Sequence, residues 1–188
     1  KNPHPCCDTQ YPTEVGRPVV SNTPDNMGVW LINMAKDTER RQNMLSQLSK
    51  LGLDPTLFEA INGKEQASTL SKRVDATAYE RNMGQPLLPG KMGVYASHVG
   101  VWEAFLTSDK ELALILEDDV VFHDDFLTAF QIALSEQSQW DLIRFNCIRA
   151  KMPVRQGSKN GYSFNAYIGP FTGNACYILT RGLAEKLL

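Results

Sequence analysis

Three consecutive carboxylates, Glu117, Asp118 and Asp119, follow directly on the apolar run Leu112-Ala113-Leu114-Ile115-Leu116. Charge at the end of a buried strand is costly unless it faces solvent, a cation or good hydrogen-bond donors. If the chain stays extended, Glu117 and Asp119 point the same way and Asp118 the other, because side chains alternate along a strand. Two oxygen ligands on one side suit a hard divalent cation such as Mg²⁺ or Mn²⁺, which completes its shell with water and substrate phosphate. A solvated strand end, with Asp124 and Asp125 capping the next helix, fits the same residues, and spacing alone leaves both readings open.

Charge distribution adds a second clue. Residues 142–180 contain Arg144, Arg149, Lys151, Arg155 and Lys159 and no acidic side chain. A metal-binding acidic corner near a basic stretch could hold a diphosphate, the metal and the cations sharing its charge. A basic, glycine-containing surface loop accounts for those residues equally well. Arg40 and Arg41 carry the same ambiguity, as helix-surface residues or as phosphate or nucleobase contacts at a strand-to-helix junction. Ser97-His98 is not a hydrolase nucleophile elbow, which needs Gly-x-Ser-x-Gly. In isolation His98, on an apolar helical face, reads as a core histidine with a satisfied hydrogen bond. Without a Gly-x-Gly-x-x-Gly or P-loop pattern, a phosphate would be held mainly through metal and side chains.

These residues need elements to position them. Val29-Trp30-Leu31-Ile32-Asn33-Met34 reads as a strand buried on both faces. A helix follows, with Asp37 as N-cap, Met44, Leu45, Leu48 and Leu51 at helical spacing and Gly52 as the stop. Thr56–Ile61 is the next strand, completing a βαβ unit. Residues 62–90 form a loop-rich insertion with at most short helices. Val94, His98, Val101, Trp102 and Phe105 then share one helical face. Leu112–Leu116 is the clearest buried strand, and Asp124 caps a helix whose apolar face is Phe126, Leu127, Phe130 and Leu134. Strands at Leu142–Asn146 and Ala175–Leu179 precede a last helix from Gly182. The alternation predicts an α/β protein with a mainly parallel central sheet, and the Glu117 cluster at a carboxyl strand end, where ligands of such sheets bind.

The chain has 188 residues, 43% of them hydrophobic, and a formal charge of −2. That is the size of a single domain, and the charge balance argues against nucleic acid as a partner. No apolar run approaches the roughly 20 residues of a membrane span, so any membrane association would be peripheral. Five prolines in residues 1–27 mark an arm or linker, leaving 28–188 as the folded domain. The four cysteines show no zinc spacing, and with no Asn-x-Ser/Thr acceptor present they favour a reducing compartment, the cytoplasm.

Taken together, the segments resemble glycosyltransferase family 25, the bacterial lipooligosaccharide galactosyltransferases and collagen galactosyltransferase domains. The likeness is carried by Val29–Asn33 with Asp37, Arg40 and Arg41; by Phe58-Glu59-Ala60-Ile61-Asn62-Gly63; by residues 90–102, which include Ser97 and His98; by residues 114–120; and by residues 172–179 with 184–188. The resemblance implies a GT-A type nucleotide-sugar-binding fold and inverting transfer of a hexose, galactose above all, from UDP to a hydroxyl. The acceptor would be a glycan or lipid-linked oligosaccharide in lipooligosaccharide or cell-surface polysaccharide synthesis, which suggests the cytoplasmic face of the inner membrane. Glu117-Asp118-Asp119 would be the DxD-like motif, with Asp119 and Glu117 on Mn²⁺ or Mg²⁺ and Asp118 in the donor site. Asn33, Arg40 and Arg41 would lie near the nucleotide, and Ser97 and His98 near the sugar or diphosphate.

The resemblance has gaps. Gly93-Val94 stands where the family often has Gly-Cys. Family members usually continue past residue 188, so the transferase domain is expected to be truncated at its C-terminus. No general base for the acceptor hydroxyl can be assigned, Asp141 being only a remote candidate. Two other readings compete: a receiver-like module binding Mg²⁺ without turnover, and a degenerate transferase that only binds nucleotide-sugar. The first strand ends in Asn33-Met34-Ala35-Lys36 rather than in acidic residues, which counts against the receiver.

Overall fold

The computed structural model describes residues 21–169 and 172–188, so residues 1–20 of the proline-rich segment lie outside the described residues. The chain runs β1 (Met27–Asn33), α1 (Thr38–Lys50), β2 (Thr56–Glu59), α2 (Ala67–Leu70), α3 (Ala76–Met83), α4 (Pro89–Leu106), β3 (Leu112–Glu117), α5 (Phe126–Ser135), β4 (Leu142–Arg144), β5 (Pro153–Lys159), β6 (Tyr162–Tyr167), β7 (Cys176–Thr180) and α6 (Arg181–Leu187). Five strands form one sheet in the order β2-β1-β3-β7-β4. β1 pairs in parallel with β2 and β3, whereas β7 is antiparallel to both of its neighbours. The expected mainly parallel sheet is therefore a mixed one with a single reversed strand.

Alternation along the strands sends successive side chains to opposite faces, and each face has its own core. Val29, Leu31, Leu114, Leu116 and Ile178 pack with Met44 and Leu48 of α1 and Phe126 and Phe130 of α5. Trp30, Ile32, Ile115, Tyr177 and Leu179 pack with Val101 and Phe105 of α4 and Ala184 of α6. The result is a three-layer sandwich in which the central strands, apolar at nearly every position, are covered on both sides. Arg181 ties the second helical layer to the sheet: its guanidinium donates to Lys110 O at 2.9 Å, Leu106 O at 3.1 Å and Ser108 O at 2.6 Å. These carbonyls close the end of α4 and the turn after it, where the helix's own hydrogen bonds run out.

Topology fixes where a ligand can enter. From β1 the chain passes through α1 to β2 on one side, then returns through α4 to β3 on the other side of β1. Strand order thus reverses between β1 and β3, and a crevice opens beyond their carboxyl ends at Asn33 and Glu117. Helix α4 can approach that crevice closely because glycine meets glycine there: a Cβ on Gly93 would lie 2.6 Å from both Gly63 N and Ile61 O.

Three local expectations need correction. The residue before α5 is Asp125, not Asp124, and its carboxylate makes no cap but accepts from Tyr162 Oη at 3.1 Å. Val94 is 51% exposed; Met92, Gly93 and Ser97 join His98, Val101 and Phe105 on the buried side of α4. The basic stretch is only in part a loop: Arg149 and Lys151 lie in the connection after β4, which ends at Arg144, while Arg155 and Lys159 belong to the antiparallel hairpin β5–β6. Asn160 and Gly161 turn it with φ of 50° and 86°, the left-handed pair of a type I′ turn.

Candidate active site

At the crevice, a cleft of about 420 Å³ is lined by Asn33, Lys36, Asp37, Arg40, Ile61, Asn62, Lys64, Ser97, His98 and the Glu117-Asp118-Asp119 cluster. All three carboxylates face it. The strand ends at Glu117 and a turn follows at Asp118 and Asp119, so the alternation that would have sent Asp118 to the opposite side is broken. Asp118 instead bridges to the first strand and helix. Asn33 Nδ2 donates to its Oδ2 at 2.6 Å and to Asp37 O at 3.1 Å, and Arg40 Nη1 donates to its Oδ1 at 3.1 Å. Both oxygens are thus engaged from the β1–α1 junction, which locks the two parallel strand ends together.

Glu117 is held from the other side. Trp102 Nε1 donates to the Tyr177 hydroxyl at 2.9 Å. Burial pushes the Tyr177 phenol well above its usual range, so it remains a donor. With the indole N–H donating to its oxygen, the Tyr177 hydroxyl directs its proton to His98 Nδ1 at 2.9 Å. The His98 proton then sits on Nε2, facing Glu117 Oε1 at 3.2 Å. A chain from Trp102 through Tyr177 and His98 therefore orients one oxygen of Glu117.

The remaining sequence-derived candidates divide. Ser97 lies at the cleft but spends its hydroxyl inward, donating to Gly93 O and accepting from Ile61 N, both at 2.8 Å. Arg41 is not among the cleft-lining residues, nor are Arg144, Arg149, Lys151, Arg155 and Lys159. Lys159 pairs with Glu136, at the end of α5. Asp141 precedes β4 at the opposite end of the sheet and accepts from Thr180, which removes it as a base. The cations that do line the cleft are Arg40, Lys36 and Lys64. The sequence does not single out either lysine as a site residue, although they lie just beyond the ends of β1 at Asn33 and of β2 at Glu59, the strand ends that such folds use for binding.

Among the described residues no three His, Cys, Asp or Glu side chains form a group that could hold a metal unaided. Yet the donor set fits a hard cation that arrives with its substrate. Glu117 keeps a second oxygen, and exposed Asp119 makes no side-chain hydrogen bond among the described residues. Mg²⁺ is usually held by one or two carboxylates and completed by water and phosphate rather than caged by protein.

The chain was compared with known proteins. Residues 26–188 match the model of "Glycosyltransferase family 25 (LPS biosynthesis protein)". A glycosyltransferase 25 family member of Anopheles gambiae is 29% identical over 181 residues, covering 85% of this chain and 28% of that protein. Procollagen galactosyltransferase 2 of Homo sapiens is 28% identical over 152 residues, 75% of this chain and 24% of its own length. A rat relative named probable inactive glycosyltransferase 25 family member 3 is 28% identical over 176 residues, 88% of this chain and 31% of its own. The chain spans about a quarter to a third of the relatives it matches. With the family model matched across nearly the whole described fold, the chain belongs to glycosyltransferase family 25.

Proposed function

We propose that the cleft binds a UDP-sugar and that the chain carries the donor half of a hexosyl, specifically galactosyl, transfer to a hydroxyl. The observation that carries this reading is the convergence of four carboxylates, Asp37 and the Glu117-Asp118-Asp119 cluster, and three cations on one crevice at the β1/β3 strand reversal. In this reading the fold is of GT-A type, Asn33 and Arg40 with Asp118 frame the nucleotide, and Lys36 and Lys64 face the diphosphate. Arg41, outside the lined cleft, is left without a donor contact. Glu117 and Asp119 would hold Mn²⁺ or Mg²⁺, which would offset the negative charge that builds on the UDP leaving group. His98 acts through Glu117, fixing the carboxylate's orientation. Ser97 shapes the wall by pinning Ile61 to α4.

The acceptor we favour is a glycan or lipid-linked oligosaccharide, in keeping with the lipopolysaccharide description of the family. Among the described residues no helix is long and apolar enough to cross a membrane. The cytoplasmic setting is part of the same proposal and rests on the free thiols Cys147 and Cys176. A donor-binding form without turnover is the second reading, favoured by the similarity to the rat relative named probable inactive. Release of UDP from UDP-galactose, measured with Mn²⁺ and a panel of hexoside acceptors, decides between them. Acceptor-dependent release supports transfer. UDP binding without release from any acceptor supports the second reading.

A further inference from the structure

Beside the cleft, and sharing Gly90, Val94 and His98 with it, lies a second pocket of about 320 Å³ completed by Lys91, Tyr95, Trp102 and Asn174. Four features set it apart from ordinary surface. Lys91, Val94, Tyr95, His98 and Trp102 fall three or four residues apart and form one stripe of α4. Val94 and Tyr95 are 51% and 56% exposed on a helix whose other large apolar residues are covered by the sheet. Asn174 Oδ1 is a buried acceptor with no hydrogen-bond partner among the described residues, a state that is ordinarily destabilising. Finally, among the lining residues Lys91 is the single Lys, Arg, Asp or Glu, and its Nζ is tied back to Tyr79 Oη at 2.9 Å.

We propose that this second pocket is the acceptor subsite and that it takes a neutral hexose ring, the end of a glycan. The inference rests on the donor reading of the adjoining cleft, because an acceptor must lie against the sugar to be transferred. A pyranose has an apolar C–H face and a rim of hydroxyl donors. Tyr95 and Trp102 supply aromatic surface for the face. Asn174, a lining residue whose Oδ1 has no partner among the described residues, supplies an acceptor for the rim. His98 lines both spaces, and its contact with Glu117 connects the wall they share to the donor cleft.

Tyr95 is exposed, so its substitution tests the pocket without disturbing the core. Saturation-transfer NMR on the full chain, with methyl β-galactoside, methyl β-glucoside and methyl α-mannoside as probes, should show transfer to the ring protons of at least one. Tyr95→Ala should weaken that binding about fivefold, the worth of one aromatic contact, and Tyr95→Phe should retain it. The UDP melting shift should be the same in all three proteins. No transfer to any hexoside, or equal transfer in Tyr95→Ala, would overturn the proposal. Loss of the UDP shift with hexoside binding intact would instead refute the donor cleft, so the two failures are separable.

Discussion

Replacing Tyr177 by Phe removes one oxygen and nothing else, at a position that is completely buried. That oxygen accepts from Trp102 Nε1 and faces His98 Nδ1, both at 2.9 Å. Phe therefore leaves two polar atoms without their partner. His98 is 4% exposed and water cannot replace the lost bond, whereas half-buried Trp102 recovers part of it. A buried orphan costs about 1–3 kcal/mol, so the substitution should destabilise the fold by about 2–4 kcal/mol. For a chain of this size that lowers the melting temperature by about 4–16 °C. Urea unfolding of wild type, Tyr177→Phe, Trp102→Phe and the double variant reads the effect directly, with the slope on denaturant unchanged. The double variant should cost less than the sum of the singles, because the second substitution removes a donor that the first has already orphaned. A cost below about 0.5 kcal/mol, or strict additivity, would refute the hydrogen-bonded chain.

Three further outcomes follow from the geometry. Arg40→Ala should change stability by less than about 1 kcal/mol, since the side chain is 57% exposed; the same variant should weaken UDP binding several-fold in calorimetry. Gly93→Ala places a Cβ against the backbone of Ile61 and Gly63 and should cost about 1–3 kcal/mol in thermal unfolding, with UDP binding impaired as the cleft wall shifts. Burial pushes the Cys176 thiol from 9.0 up to about 12. The folded state thus keeps a proton that the unfolded chain releases, so this group's contribution is intact below pH 9 and stability falls as pH rises from there towards 12. Iodoacetamide at pH 8 should accordingly label exposed Cys147 and spare Cys176 in peptide mapping.

What the sequence discloses about this fold depends on whether the signal is local. The unbroken apolar runs Val29–Ile32 and Leu112–Leu116 announce strands covered on both faces, and both are central in the sheet. The carboxylate cluster is legible as a candidate site because it stands at a strand end, where the fold class puts ligands, whereas Asn33, and Arg40 in the first turn of α1, are singled out chiefly through the family resemblance. Strand alternation fails for Asp118 because a turn begins at that residue. The hairpin could have been found from Asn160-Gly161 lying between two polar, extended segments; its basic composition drew attention to charge instead. Nothing in one sequence pairs Tyr177 with residues 79 and 75 positions away, so the support behind Glu117 emerges only from the folded chain. The same holds for the second pocket, where Asn174 meets the stripe of α4 that carries Tyr95 and Trp102.

The central claim is that the Glu117–Asp119 corner binds a nucleotide diphosphate through a divalent cation. Its most direct test is the melting temperature of wild type and Asp119→Ala with UDP, with Mn²⁺, and with both. UDP and Mn²⁺ together, at about 100 times the dissociation constant, should stabilise wild type by about 2.7 kcal/mol, or about 5–10 °C, with little effect of either alone. Asp119→Ala, exposed and without hydrogen bonds among the described residues, should melt like wild type and lose the joint shift. A joint shift that persists in Asp119→Ala, or its absence from wild type, would contradict the account.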